Sequence, residues 1–169
     1  MEEKIESGAA IEGAEARSWN GGKLGLFAAI NVFVIGIDYV TKRLIQEHFH
    51  LYQQVEIIGD YLRLTYIYNP GAAFGISVGP HSRLIFLVLS VVALGALAGM
   101  YWVTPARDRA RLTSISLICA GAIGNLIDRI RSPRGVVDFL DVGIGDLRWP
   151  IFNVADTAVT TGAISPNKR

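Results

Sequence analysis

From Leu84 to Val103 the chain runs LIFLVLSVVALGALAGMYWV, 20 residues without a charge. As a helix this stretch is about 30 Å long, the thickness of a bilayer's hydrocarbon core. In lipid every backbone N–H and C=O must be satisfied within the segment, so the run predicts a membrane-spanning helix. Two more apolar blocks have the same character: Leu24 to Val40, running on to about Ile45, and Leu112 to Ile127. Apolar residues make up 51% of the chain and charged residues 18%, and the blocks concentrate the apolar share. Gly95 and Gly99 form a GxxxG pair that predicts helix packing, and Tyr101-Trp102 suit an aromatic belt. The formal net charge of +1 offers no basic field for nucleic acid. The single cysteine, Cys119, excludes an intramolecular disulfide and a Cys/His zinc cluster, and is expected to be a small packing residue. His48, His50 and His81 stand at block edges and suit an interface.

The remaining segments are polar or weakly apolar. Residues 1–22 hold five Glu against Lys4 and Arg17. A secretory leader needs a positive start, so this segment is expected to be a flexible cytosolic tail; a short amphipathic helix on the membrane is the other reading. Residues 46–80 do not look like a span, and a β element is expected over about 52–78. QQVEII and YLRLTYIY flank Gly59-Asp60 and predict a hairpin, with Leu62, Leu64, Tyr66 and Tyr68 on one face. Asn69-Pro70-Gly71 then signals a turn. TPARDRAR at 104–111 is a basic loop. Residues 130–147 are expected to be a loop, and 150–165 a fourth helix, short and poor in large apolar side chains. The expectation is an α-helical integral membrane protein, a four-helix transmembrane bundle with a small extracytoplasmic β-hairpin. Its spans fall at about 24–45, 84–103, 112–129 and 150–165, within one domain over 23–169. Lys and Arg divide eight against eight between the two sides, so their count leaves orientation open, while the Arg-rich loop at 104–111 favours a cytoplasmic N-terminus.

Two aspartates stand in costly settings: Asp138 in VVDF and Asp156 in FNVAD, 18 residues apart. A carboxylate among Val, Phe and Ala must be paired, protonated or hydrogen-bonded. Asp38 and Lys42 share a helix face at i,i+4, as an interfacial ion pair or as scaffold beside a site. Gly121, Asn125 and Asp128 share a face as well, with Arg129 four residues beyond Asn125. Arg129 could hold a carboxylate in a bidentate fork. Asn153 and Asp156 are i,i+3. No Ser–His or Cys–His arrangement accompanies them. Three classes fit these residues: a peptidase using two acids, a proton- or cation-binding carrier, and a non-catalytic binding protein. Carriers often show internal repeats, and none is visible. Asp128 rivals Asp138 as partner of Asp156, but the following Arg129 favours its ionised form and a structural bridge.

DYVTK at 38–42, NPGAAFG at 69–75, GAIGNLIDR at 121–129, VVDF at 136–139 and FNVAD at 152–156 occur in that order. Together they closely resemble the bacterial lipoprotein signal peptidase family, signal peptidase II, over about 24–162. The resemblance implies an intramembrane aspartic peptidase of four transmembrane helices. Both termini would be cytoplasmic, and the site would lie under a β-cradle toward the outer leaflet of the bacterial inner membrane. It implies cleavage of diacylglyceryl-modified prolipoproteins just before the lipidated cysteine, with no cofactor or metal, in a monomer among membrane lipids. It also implies inhibition by globomycin. The matching catalytic pair is Asp138 and Asp156. Asp38, Lys42, Asn69, Gly71, Gly121, Asn125, Asp128, Arg129, Asn153 and Ala155 would line or support the site. The long N-terminal segment departs from the family, as does the last helix, which SPNKR follows early.

Overall fold

A computed structural model of the chain describes residues 2–71 and 79–164, with side chains described from residue 21 onward. Helix α1 runs Glu2–His48, α2 Ser82–Val103, α3 Arg109–Arg131 and α4 Val154–Ile164. Three helical segments are long and apolar enough to cross a membrane: Gly21–His48, Ser82–Val103 and Arg109–Arg131. Their outward side chains are large and apolar, among them Val32, Phe33, Val88 and Val92, as lipid rather than water would require. The polar stretch expected to be a tail is helical backbone continuous with the first span.

α3 is the most enclosed span and packs against each of the other helices. Its contact with α4 is made by small residues. A Cβ on Gly121 would lie 2.2 Å from the Ala155 carbonyl oxygen, and one on Gly162 would lie 2.7 Å from that of Ser114. Such side chains let two backbones approach where lipid supplies no hydrophobic drive. Gly95 and Gly99 do not act this way: a Cβ on either would meet nothing within 4 Å. They lie on the exposed side of α2, so the GxxxG packing expected from spacing is not made among the described residues.

The predicted hairpin is β1 (Gln54–Ile58) and β2 (Leu62–Asn69), antiparallel, turning at Gly59 with φ +46°. The rest of the expected β segment, 72–78, lies outside the described residues. The expected loop at 130–147 is instead mostly strand: β3 (Val136–Ile144) pairs antiparallel with β2, and β4 (Leu147–Arg148) with β3. The sheet order is β1-β2-β3-β4. VVDF was too short a run to reveal the strand; it forms because β2 offers an open edge on which Val and Phe can pack. One sheet face carries Tyr66, Val137 and Phe139 onto Ile45 of α1, joined by Leu64 and Tyr68, as the alternation in β2 predicts. The far end of the sheet is clamped by Arg148. Its Nε donates to Asp141 Oδ1 at 2.6 Å and its Nη1 to the Asp60 carbonyl at 2.8 Å, while Asp60 also holds Arg63 and the Gly145 N–H. Burial alone would raise the Asp141 carboxyl, but hydrogen bonds from Arg148, Thr65 and Gln54 outweigh it and hold the group below the usual carboxylate range.

α4 begins later than expected, at Val154, because 150–153 is extended: Phe152 bridges to Leu140 of β3. Its 11 residues rise about 16 Å, roughly half of a bilayer's hydrocarbon core.

Candidate active site

The centre is built where the start of α4 meets β3, α1 and α3. Asn153 is the N-cap of α4, not a residue within it. Its Oδ1 accepts from Asp156 N–H at 2.9 Å, and Asp156 Oδ2 accepts from Asn153 N–H at 3.2 Å. This is a reciprocal capping box, with Asp where Glu or Gln is usual. The i,i+3 spacing therefore reflects capping, and the cap pins the Asp156 carboxylate before any tertiary contact is counted. Asn125 Nδ2 of α3 donates to Asp156 Oδ1 at 2.8 Å.

Asp138 sits on β3 opposite Ile67, on the sheet face turned away from Val137 and Phe139. It is 1% exposed. Asn153 Nδ2 donates to its Oδ1 at 2.7 Å and Asn69 Nδ2 to its Oδ2 at 3.0 Å. The Asn153 amide also donates to Asn125 Oδ1 at 3.0 Å. One buried amide thus contacts the Asp138 carboxylate, Asn125 and, through its oxygen, the backbone N–H of Asp156. Burial first, then the neighbouring Asp156 carboxylate, push the Asp138 carboxyl up to about 7, against hydrogen bonds from Asn69 and Asn153 and the charge of Lys42.

Lys42 organises the opposite side. Its Nζ lies 2.8 Å from Asp38 Oδ2, 2.8 Å from Asp128 Oδ2 and 3.1 Å from Asn125 Oδ1. Three donors meet three acceptors, which satisfies a buried ammonium. Asp38 then reaches α4: its Oδ1 accepts from Ala155 N–H at 2.9 Å, closing another free donor of the first turn. Of the two readings for Asp38 and Lys42, the scaffold pair beside the site is the one realised, since both are buried. Asp128 is a structural bridge, as its setting suggested, but to Lys42 rather than Arg129, and it also accepts from Val137 N–H at 3.3 Å.

Arg129 makes no carboxylate fork among the described residues. Its Nη2 donates to the Gly71 carbonyl at 2.8 Å and its Nη1 to the Asn125 carbonyl at 3.3 Å. It is buried, and it ties the turn after β2 to α3. Gly71 N–H in turn donates to Asn69 Oδ1 at 2.9 Å, which orients the Asn69 amide toward Asp138. All twelve residues singled out in the sequence therefore meet in one cluster. Three supporting positions were missed. A Cβ on Gly124 would lie 2.7 Å from Asp38 Oδ2; the G-x-x-G spacing within GAIGN was its signal. Gly135, at φ +103°, brings the start of β3 against the Asn69 carbonyl, where a Cβ would lie 2.2 Å away. Arg83 Nη1 donates to the Arg129 carbonyl at 2.6 Å, a long-range contact that no local pattern announces.

Asp138 and Asp156 share a buried amide network in which a proton is easier to hold than a second charge. Such a pair can take a proton from water with one carboxylate and give one to a carbonyl oxygen with the other.

The chain matches the protein family described as "Signal peptidase (SPase) II" over residues 30–166. Among curated proteins it is 38% identical over 142 residues to the "Lipoprotein signal peptidase" of Syntrophus aciditrophicus, covering 82% of this chain and 88% of that one. It is 40% identical over 138 residues to the "Lipoprotein signal peptidase" of Moorella thermoacetica, covering 82% and 87%. A solved structure described as a bacterial membrane enzyme, obtained by the in meso method, superposes with a TM-score of 0.74 at 36% identity. It covers 83% of this chain and 84% of that chain.

Proposed function

Because the chain belongs to the signal peptidase II family of membrane-embedded aspartic peptidases, we propose that it removes signal peptides from diacylglyceryl-modified prolipoproteins, with Asp138 and Asp156 as the catalytic pair. The observation that carries the assignment is the buried Asn153–Asn125 pair: the Asn153 amide donates to the Asp138 carboxylate and to Asn125 Oδ1, and the Asn125 amide donates to the Asp156 carboxylate. The pair holds one proton between its members. The ionised member accepts a proton from a water, which attacks the carbonyl carbon of the bond before the lipidated cysteine. The protonated member donates to the carbonyl oxygen, giving a tetrahedral intermediate with no covalent enzyme adduct. The pair titrates as a unit, so base and acid are roles within it rather than labels of one residue. Asn125, Asn153 and Asn69 hold the carboxylates, and Lys42, Asp38, Asp128 and Arg129 hold the elements that carry them. Gly121 and Ala155 allow α4 to come close enough.

In this reading four helices lie in the bacterial inner membrane, α4 the fourth, seated along α3. Both termini face the cytoplasm and the sheet covers the site at the outer leaflet. The protein acts as a monomer among membrane lipids, and globomycin competes with substrate. The carrier reading loses its support, since the family acts on peptides.

The test is cleavage of a synthetic lipidated prolipoprotein peptide by purified protein. Asp138→Asn and Asp156→Asn abolish cleavage with the fold intact, while Asp128→Asn retains some turnover. Full cleavage by Asp138→Asn, with loss in folded Asp128→Asn, would assign the pair differently. Proton-coupled flux into liposomes without proteolysis would restore the carrier.

A further inference from the structure

A groove of about 280 Å³ opens at Asp156 and follows the outer side of α4 past Thr157 and Thr160 to Thr161, with Trp149, Pro150 and Phe152 opposite. Offsets of one, four and five residues from Asp156 form one helical stripe. The threonines suggest a polar wall, but two of their hydroxyls are turned back into the helix. Thr157 Oγ1 donates to the Asn153 carbonyl at 3.0 Å, and Thr161 Oγ1 to the Thr157 carbonyl at 2.7 Å. With those hydroxyls engaged along the helix, the groove is an apolar slot with a reacting carboxylate at one end.

Three parts of the proposed substrate could lie there. An extended peptide would leave its N–H and C=O groups unsatisfied against such walls. A helix with side chains is about 10–12 Å across, so a single turn already exceeds the groove's volume of about 280 Å³. An alkyl chain has neither difficulty. The lipidated cysteine directly follows the bond to be cut, so its acyl chains start beside the acids, where the groove starts. We propose that this groove, lined by Phe152 and Thr160 among others, seats one acyl chain of the substrate's diacylglyceryl group. The inference rests on the peptidase reading. Lipid tails are as apolar as the groove, so transfer from the bilayer gains little. The contribution is orientation: a seated chain aligns the adjacent peptide bond with the carboxylates.

The experiment compares two substrates of identical peptide, one dipalmitoyl and one dihexanoyl, in the same detergent. Wild type cuts the long-chain substrate with the higher kcat/KM. Thr160→Trp fills the slot and lowers the long-to-short ratio at least about tenfold, as loss of alignment does. Val92→Trp, on the exposed side of α2, keeps the ratio. A Thr160→Trp enzyme with the wild-type ratio overturns the inference. A second measurement does not depend on that variant's folding. A substrate with a diazirine at its acyl terminus is irradiated with the inactive Asp138→Asn protein, and the crosslinks are mapped. Crosslinks within 149–161 support the groove; crosslinks confined to α1 and α2 overturn it. If wild type cuts neither substrate, the peptidase reading fails and this inference falls with it.

Discussion

A single methyl group at Gly121 is expected to disable the site from across a helix interface. In Gly121→Ala the new Cβ would lie 2.2 Å from the Ala155 carbonyl oxygen and 2.7 Å from Val159 Cγ2, where ordinary contacts begin at 3.4 Å. The near atom is backbone, so no rotamer change relieves it, and α4 must withdraw by roughly 1 Å, a displacement able to cost 10²-fold in rate. The residue that moves is next to Asp156. Withdrawal stretches the 2.9 Å bond from Ala155 N–H to Asp38 and the 2.8 Å bond from Asn125 to Asp156. The expected outcome is a fall in kcat/KM of about 100-fold with a stability loss of about 1–3 kcal/mol, the range for overpacking. Cleavage of the lipidated peptide and thermal unfolding in the same detergent measure the two. Gly95→Ala, where a Cβ meets nothing within 4 Å, is the control and leaves both near wild type. Wild-type kcat/KM in Gly121→Ala would show that the position of α4 does not govern the site.

Cleavage is expected to decline as pH rises through about 7, where the Asp138–Asp156 pair loses its shared proton; an activity plateau continuing two pH units higher would contradict the shared proton. The same shift sets the sign for stability. The folded protein keeps this proton from the ordinary value of 3.8 up to about 7 while the unfolded chain has released it. Stability therefore falls by roughly 4 kcal/mol across that window, and Asp138→Asn flattens that part of the pH profile in denaturation experiments. Lys42→Met leaves Asp38 and Asp128 without their shared cation, and breaking a buried pair in this way costs about 3–5 kcal/mol; a melting temperature equal to wild type would remove Lys42 from the scaffold. Asp141, held below its ordinary range, contributes stability above that range and loses it as pH falls. Arg148→Ala should shrink this acid-induced loss, and an unchanged acid limb would mean the Arg148 clamp is not its source.

Local rules made much of the protein legible. Charge-free runs of helical length announced the spans, because lipid tolerates no unsatisfied backbone. Alternation in YLRLTYIY announced a two-faced strand, and Gly59-Asp60 its turn. The twelve candidate site residues stood out as motifs, and two of their relations, Asp38 with Lys42 and Asn153 with Asp156, were readable as spacings. Other relations were not. Val136 to Ile144 became a strand only because β2 offered a free edge, which no window of sequence contains. Arg129 found carbonyls of Gly71 and Asn125 instead of a carboxylate, and Lys42 took the Asp128 that proximity in sequence had given to Arg129. These outcomes depend on which charged groups burial brings together, and burial is set by the packing of α1, α3 and α4 as a group. Composition and spacing determined a membrane protein with two costly aspartates. Only the tertiary structure decided that two bonded asparagine amides, Asn153 and Asn125, would join them, because the contact needs a strand, a helix cap and a third helix at one point.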